Sequence, residues 1–513
     1  MSTPADYLTF LRQKGVKLWI ADGELHYHAR KGILGAEELA RLREMKRKII
    51  AELSKPPGSA IDAPMQQGVE AGRQVPLSFQ QQWLLTMTQE HSHWKATLSY
   101  ALKLTGEVDT TALEKSFQAV FHRHEVLRTK IVRVDGALRQ EVEELPEFHL
   151  TVTGVRGGSD VEIESNTLAL IREIEARALD PAVAPMMAAE LLHVSPRNHF
   201  LVLVIHRLAA DCLGVGQVLR SLWVLYGEAL RGHFSRFEDE SGQYRDYAIW
   251  QHATNTAWQG KHAAYWNERL AGAERIHWPV EVRATTAASD SHAHLASTES
   301  SLGETLSARL RELARQRQTL PALVMLAVYA ASISKLCQQQ DFILPFLIAG
   351  RDSERESVVG YFSYIVYLRV KCGGSESFID LLKQVSNEYY RAAAFRQDFA
   401  RNVAQRPELL GGTLCQWLSW HPTEVAGLGQ DDLTRDLELK FQRIRCQNLE
   451  ELTNVPPAAV DIEIAFFDVA GDIGAFATYR SDRFAKGSVL RLMQQLRSTA
   501  EHVVTDPLCP IAD

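Results

Sequence analysis

The chain has 513 residues, 46% apolar and 23% charged, enough for about three globular units at roughly 100–200 residues each and too well supplied with apolar residues to be disordered. A net charge of −7 gives no electrostatic reason to expect nucleic acid or an anionic membrane, and no stretch approaches the roughly 18 uninterrupted apolar residues of a membrane helix. Six cysteines without a CxxC pair, and an opening MSTPADYLTF that lacks a basic run leading into an apolar segment, point to the reducing cytoplasm. HExxH, GxxxxGK[ST] and a GxGxxG after a strand are all missing, so the sequence offers no device for a zinc peptidase, a P-loop NTPase or a dinucleotide enzyme.

The chain opens with an expected amphipathic helix over 5–14, bearing Leu8 and Leu11 on one face. Two alternating runs follow, VKLWI and ELHYH, joined by Ala21-Asp22-Gly23; an Asp-Gly between such runs predicts a hairpin, because its turn needs positive φ. A charged helix carrying Leu39, Leu42, Ile49 and Ile50 is expected over 36–53. This unit, residues 1–54, is too small to bury much core, and the edge of its hairpin offers unpaired backbone groups to an extended peptide. Val16, Leu18, Ile20, Leu25 and Tyr27 are the expected docking positions; the alternative is a cap packed on its own chain. The Pro-, Gly- and Ser-rich segment 55–74 reads as a linker. The order helix, hairpin, helix and the segment KGVKLWIADGELHYHA resemble the β-hairpin docking domains of the tubulysin-synthetase type, which receive the C-terminal peptide of an upstream synthetase subunit.

Beyond the linker, Asp109 is the expected N-cap of a helix reaching His124, since its carboxylate can accept an orphan N–H. Two β-rich runs flank Ser195-Pro196 within ELLHVSPRNHFLVLVIH, and the next helix, 214–230, buries Val215, Val218, Leu219, Leu222 and Leu225. The second half is taken to begin at residue 269. It contains an exposed polar loop over 284–301, a helix over 321–336, strands over 341–349 and 361–370, and a closing helix over 489–504. Strands and helices mix in both halves, so two α/β lobes are expected, 75–268 and 269–513.

Five segments carry the functional argument. They are Pro76-Leu77-Ser78-Phe79-Gln80-Gln81-Gln82-Trp83-Leu84-Leu85; Arg123-His124-Glu125-Val126-Leu127-Arg128-Thr129; His206-Arg207-Leu208-Ala209-Ala210-Asp211-Cys212; Tyr244-Arg245-Asp246-Tyr247-Ala248-Ile249-Trp250; and Gly350-Arg351 with Val359-Gly360-Tyr361-Phe362. In this order they resemble the motifs of nonribosomal peptide synthetase condensation domains, RHExLRT matching outright and HRLAADC standing where the family has HHxxxDG. The resemblance implies an α/β fold of two chloramphenicol-acetyltransferase-like lobes in a V with a tunnel between them, preceded by the small α+β docking domain. It also implies amide bond formation between a carrier-bound acyl or peptidyl donor and an aminoacyl acceptor. No intrinsic cofactor or metal is expected, the substrates riding on phosphopantetheine arms of donor and acceptor carrier proteins, with a downstream adenylation domain as a further partner.

Three positions depart from the family pattern. Arg207 stands at the second histidine, the one generally assigned to catalysis; Cys212 replaces the terminal glycine; and the asparagine after GxF is missing from Ser363-Tyr364-Ile365. An arginine stays protonated and cannot act as a base, but it can stabilise an oxyanion. His206, Arg207 and Asp211 are therefore the candidate catalytic residues. Each has a structural alternative: His206 as a satisfied strand-end histidine, Asp211 as the partner of Arg351 that the resemblance implies, and Arg207 as a side chain reaching solvent or a surface carboxylate. Cys212 is either an activated thiol or a small packing residue. Arg123, Glu125 and Arg128 are expected to hold the fold through ion pairs, with Gly360 as a motif position. The rival to the enzyme reading is a catalytically inactive condensation-fold platform that docks carrier proteins or neighbouring subunits.

Overall fold

The computed structural model describes residues 17–21, 24–28, 46, 73–92, 94–144, 147–232, 242–255, 259–279, 295–351, 355–373, 376–395, 406–419, 440–443, 453–508 and 510–511. The expected hairpin is present. Strands β1 (Lys17–Ala21) and β2 (Glu24–His28) pair antiparallel, Leu18 opposite Tyr27 and Ile20 opposite Leu25. Cross-strand partners and positions two apart share a face, so four of the five docking positions lie on one face of the ribbon. Val16 and the flanking helices lie outside the described residues, except Lys46, which is helical. The linker reading fails at its last residue: β3 (Gln74–Pro76) pairs Gln74 with Glu141 and buries Val75.

In the first half, helix α1 (Phe79–Glu90) starts at a capping box, in which Ser78 and Gln81 each take the other's backbone N–H. Strand β4 (Thr97–Thr105) leads to α2 (Thr110–Arg123), which Asp109 caps as expected through the Ala112 N–H at 2.9 Å. Strands β5 (Thr129–Val134) and β6 (Ala137–Val142) join β3 in a three-stranded sheet. Then come β7 (Thr151–Gly154), α3 (Asp160–Glu175), β8 (Met187–Ser195), β9 (Asn198–His206) and α4 (Cys212–Leu230). All five apolar residues assigned to the buried face of α4 are buried. It begins two residues earlier than expected because Asp211, not a later residue, supplies the cap.

Strand β9 is central and covered on both faces, which is why FLVLVI reads as one apolar run instead of an alternation. Val202 and Val204 cluster with Ile171 and Ile174 of α3, while Leu201, Leu203 and Ile205 join the main core. Helices α5 (Tyr244–Asn255) and α6 (Gln259–Arg269) complete this half.

The second half holds β10 (Leu295–Ser301), α7 (Glu304–Gln316), α8 (Pro321–Cys337), β11 (Asp341–Ile348), β12 (Tyr364–Lys371), α9 (Phe378–Ala394), β13 (Thr413–Leu418), β14 (Lys440–Arg443), β15 (Ile462–Val469), β16 (Asp472–Arg480) and α10 (Lys486–Thr505). Its mixed sheet runs β10-β16-β15-β13-β11-β12. The end of the expected 284–301 loop is thus an edge strand. Its small polar residues carry little apolar signal, and its pairing with β16 along seven residues supplies the order instead. Strand β12 begins at Tyr364 and not at Tyr361, because the Phe362 N–H and Tyr361 carbonyl are taken by Asp211 and Tyr244.

The two halves interlock. Strand β14 leaves the second half and pairs with β4, giving the first half's sheet the order β14-β4-β9-β8-β7. Among the described residues no single helix is long and apolar enough to cross a membrane.

Candidate active site

Strand β9 ends at His206, and the turn that follows carries Arg207 before Asp211 opens α4. A central strand delivering polar residues into a helix cap holds them rigidly. The backbone here is pinned from three sides. The His206 N–H donates to the Met186 carbonyl at 2.9 Å, the Arg207 N–H to Ala96 at 2.8 Å and the Asp211 N–H to Gly360 at 3.1 Å. Gln81, from the capping box of α1, donates its side-chain amide to the Leu208 carbonyl at 3.0 Å. The opening motif thereby positions the turn, although Gln81 was not among the candidate residues.

His206 is buried, and burial together with neighbouring Arg207 lowers its pKa to about 4. Its Nδ1 accepts the Leu208 N–H at 3.1 Å, which leaves the ring proton of the neutral imidazole on Nε2. The ring is thus held by the backbone of its own turn.

Asp211 uses both carboxylate oxygens. Oδ1 accepts the Gly214 N–H and the Arg351 guanidinium, each at 2.8 Å; Oδ2 accepts the Phe362 N–H at 3.0 Å and the Ser363 hydroxyl at 3.2 Å. The ion pair with Arg351 that the family resemblance implied is present and buried. Arg351 also donates to the carbonyls of Arg355, Val358 and Gly360 and lies 4.4 Å from the Phe362 ring centroid. Gly360 is required by space: a Cβ there would meet Tyr244 Cδ2 at 2.0 Å. The Tyr244 ring is pinned by the Ser78 hydroxyl at 2.8 Å and the Tyr361 carbonyl at 2.5 Å. Cys212, the first residue of α4, is half-buried and in no disulfide.

Arg207 does not reach solvent as the surface alternative supposed; only 2% of it is exposed. Its Nη2 donates to the Thr453 carbonyl at 2.7 Å, and its guanidinium carbon lies 5.7 Å from the Trp94 ring centroid, within cation–π range. The residue next to Thr453 holds a group that sequence reasoning missed. Glu463, on β15, is buried, and burial raises its pKa to about 7 against the opposing pull of Asn454 hydrogen bonds and of Arg207. Its Oε2 accepts the Asn454 N–H at 3.0 Å, and its Oε1 accepts the Asn454 side-chain amide and, at 3.4 Å, that of Gln416. A lone glutamate inside the apolar run IEIAFF was the sequence signal that could have found it.

Arg123, Glu125 and Arg128 belong to a separate network. Glu125 pairs with Arg245 at 3.1 Å and Arg128 at 3.5 Å, Arg128 also donates to the Glu143 carbonyl, and the Arg123 carbonyl accepts from Gln243 at 3.0 Å. This motif reaches the site through backbone: Leu127 O accepts the Met186 N–H, and Met186 O accepts that of His206. Among the described residues no cluster of histidine, cysteine and carboxylate side chains could hold a metal ion.

The condensation-domain profile matches residues 72–513, and that of the TubC N-terminal docking domain matches residues 5–55. The chain belongs to the condensation-domain family. It is a condensation domain of the nonribosomal peptide synthetase type, led by a docking domain, and members of this family form amide bonds. It is similar to the isonitrile lipopeptide synthase of Mycobacterium tuberculosis, 29% identical over 84% of this chain and 17% of that protein. Phosphinothricin tripeptide synthetase PhsC of Streptomyces viridochromogenes is 27% identical over 84% of this chain and 39% of that protein. The chain therefore spans well under half the length of these curated relatives. Among solved structures, the EpoB cyclization-docking bidomain of Sorangium cellulosum aligns with a TM-score of 0.69 at 18% identity, covering 98% of each chain. The X-domain of teicoplanin biosynthesis in complex with OxyB aligns at 0.73 and 20% identity, covering 88% of this chain and 98% of that one. These likenesses agree with the expected α/β fold of the chloramphenicol-acetyltransferase type.

Proposed function

We infer that this condensation domain joins a carrier-bound acyl or peptidyl donor to a carrier-bound aminoacyl acceptor, with Arg207 as the charged group of the reaction. The observation that carries the reading is the buried guanidinium at the motif, a fixed cation at the place where the family has its second histidine. The acceptor's neutral amine attacks the thioester carbonyl, forming a C–N bond while the carbonyl oxygen takes up negative charge. Arg207 stabilises that oxyanion. Collapse reforms the carbonyl and breaks the C–S bond; the proton released by nitrogen goes to the departing thiolate, leaving an amide on the acceptor arm and a free thiol on the donor arm. Alignment of the two arms supplies much of the acceleration, so no side-chain base is needed to take a proton from an amine that is already neutral. Asp211 does not act as a base, because all its hydrogen bonds serve the helix cap, Arg351 and the 362–363 backbone and hydroxyl.

Both phosphopantetheine arms enter as substrates, by way of a tunnel between the lobes. The lobes are taken as 75–268 and 269–513, and residues 1–54 receive the C-terminal peptide of an upstream subunit. An adenylation domain downstream loads the acceptor carrier. The reducing cytoplasm suits Cys212, Cys337, Cys372 and Cys415, none of which is in a disulfide. A second reading, a platform without catalysis, is favoured by the engagement of Arg207 with the Thr453 carbonyl and by the likeness to an X-domain known in complex with OxyB.

Intact-mass spectrometry of loaded donor and acceptor carrier proteins, over several substrate pairs, separates the two. Transfer by the native chain that is lost in Arg207→Ala supports the condensation reading. A silent native chain whose Arg207→His variant transfers overturns it in favour of the platform.

A further inference from the structure

Arg207 and Glu463 come from different halves of the chain, yet they are anchored on adjacent residues, Arg207 on Thr453 and Glu463 on Asn454. Thr453 gives its carbonyl to the Arg207 guanidinium at 2.7 Å, and Asn454 gives its backbone N–H at 3.0 Å and its side-chain amide to the Glu463 carboxylate. Neither charge has solvent to screen it: 2% of Arg207 and 5% of Glu463 are exposed. Isolated carboxylates are too costly to leave inside a protein, so a buried glutamate on an apolar strand either keeps its proton or takes a counter-charge. Burial, the largest influence, disfavours its ionised form, while the Asn454 hydrogen bonds and the Arg207 charge favour it.

The geometry points to Glu463 as a positioning residue: it fixes Asn454, and with it the Thr453 carbonyl that receives Arg207, while its charge sets how much of the guanidinium's positive charge is left for the substrate. This rests on the reading of Arg207 as the oxyanion-stabilising group. Glu463 touches no reacting atom in this account. It acts by trading one charge state for another: protonated, it leaves Arg207 a full cation toward the carbonyl; ionised, it offsets that cation. Among the described residues, the ionisable groups whose charge couples to it are Arg207 from the end of β9, Tyr361 ahead of β12 and Cys415 on β13. Burial pushes the Tyr361 hydroxyl and the Cys415 thiol upward, so both stay neutral where Glu463 titrates and Arg207 is the charge that answers it.

Two readouts test this. The first needs no activity. In protein labelled with carboxyl-¹³C glutamate, one resonance should titrate with a midpoint near that of a carboxyl raised to about 7. That resonance should be missing in Glu463→Gln, and its midpoint should move up in Arg207→Met, where the favourable cation is gone. An unmoved midpoint in Arg207→Met sinks the inference.

The second readout is the ratio of acyl-transfer rates between the native chain and Glu463→Gln, measured at each pH so that ionisation of the amine cancels. Below the midpoint the two rates should agree, because both side chains are neutral; above it the native chain should fall several-fold below the variant. A ratio that does not change with pH shows a merely structural glutamate and overturns the proposal. A native chain that transfers nothing with any substrate pair removes the condensation reading instead, and the midpoint shift still decides whether the two charges are coupled.

Discussion

Replacing Asp211 tests how the two halves are joined at the motif. Its carboxylate caps α4, receives Arg351, and takes the Phe362 N–H and Ser363 hydroxyl from the second half. In Asp211→Ala the guanidinium of Arg351 is left buried without its counter-charge, a loss of about 3–5 kcal/mol. The missing cap and the stranded Phe362 N–H each add about 1 kcal/mol. These contributions share one side chain and overlap, so a total of about 5 kcal/mol is expected, against about 5–15 kcal/mol for the stability of a whole domain. Asp211→Asn keeps an oxygen acceptor and the side-chain shape but loses the charge, and should cost about 3 kcal/mol. Urea unfolding followed by tryptophan fluorescence gives the midpoints. Adding Arg351→Met to Asp211→Asn should restore part of the loss, since no charge is then left buried and alone. A midpoint for Asp211→Ala within about 1 kcal/mol of native, or a double variant in which the two losses simply add, would refute this account of the pair.

Gly360→Ala should destabilise by about 2 kcal/mol or more, because its Cβ would sit 2.0 Å from a Tyr244 ring that Ser78 and Tyr361 hold in place; Gly487→Ala, with nothing within 4 Å, is the control that should leave the midpoint unchanged. Acid should destabilise the chain through two buried histidines. The pKa of His124 is lowered to about 3 and that of His206 to about 4, mainly by burial, so below 6.5 the unfolded chain binds protons that the folded one refuses. Each contributes a loss of about 3 kcal/mol between pH 6.5 and 4. Glu463 acts in the opposite sense: raised from 4.5 to about 7, it binds its proton first in the folded state, and stability gains as pH falls through that window. Unfolding midpoints measured against pH should therefore drop less steeply in His124→Gln and more steeply in Glu463→Gln; slopes identical to native would contradict both assignments. At the other end of the chain, a C-terminal peptide from the upstream subunit should bind the full protein and lose binding when residues 1–55 are deleted or Ile20 is changed to Asp, as read by calorimetry. Unchanged affinity would remove the docking assignment.

Much of this is legible in the sequence because the motif residues are local. The Asp-Gly hairpin, the Asp109 cap, the apolar run of β9 and the helix behind it are each written within a dozen residues, and periodicity reads at that range. The partnership of Asp211 with Arg351 spans 140 positions, and only the family resemblance makes it visible. Only its isolation in the apolar run IEIAFF points to Glu463, and no motif marks the Thr453-Asn454 anchor, whose Thr453 carbonyl meets Arg207 across 246 positions. Strand β10 reads as a loop because LASTESS has no apolar alternation of its own and takes its order from β16. A solvent-facing Arg207 is the natural expectation because arginines are rarely buried, and here the Thr453 carbonyl and Trp94 make burial tolerable.

The central claim is that the working charge of this site is Arg207 and that His206 is scaffolding. Comparing single-turnover acyl transfer in Arg207→Ala and His206→Asn, each confirmed folded, tests it most directly. Asparagine can still accept the Leu208 N–H that the imidazole Nδ1 now takes. The account predicts that His206→Asn keeps transfer within a few-fold of native, while Arg207→Ala loses on the order of 10²-fold, the usual loss when one oxyanion donor is removed. The reverse pattern, with His206→Asn silent and Arg207→Ala active, would contradict it.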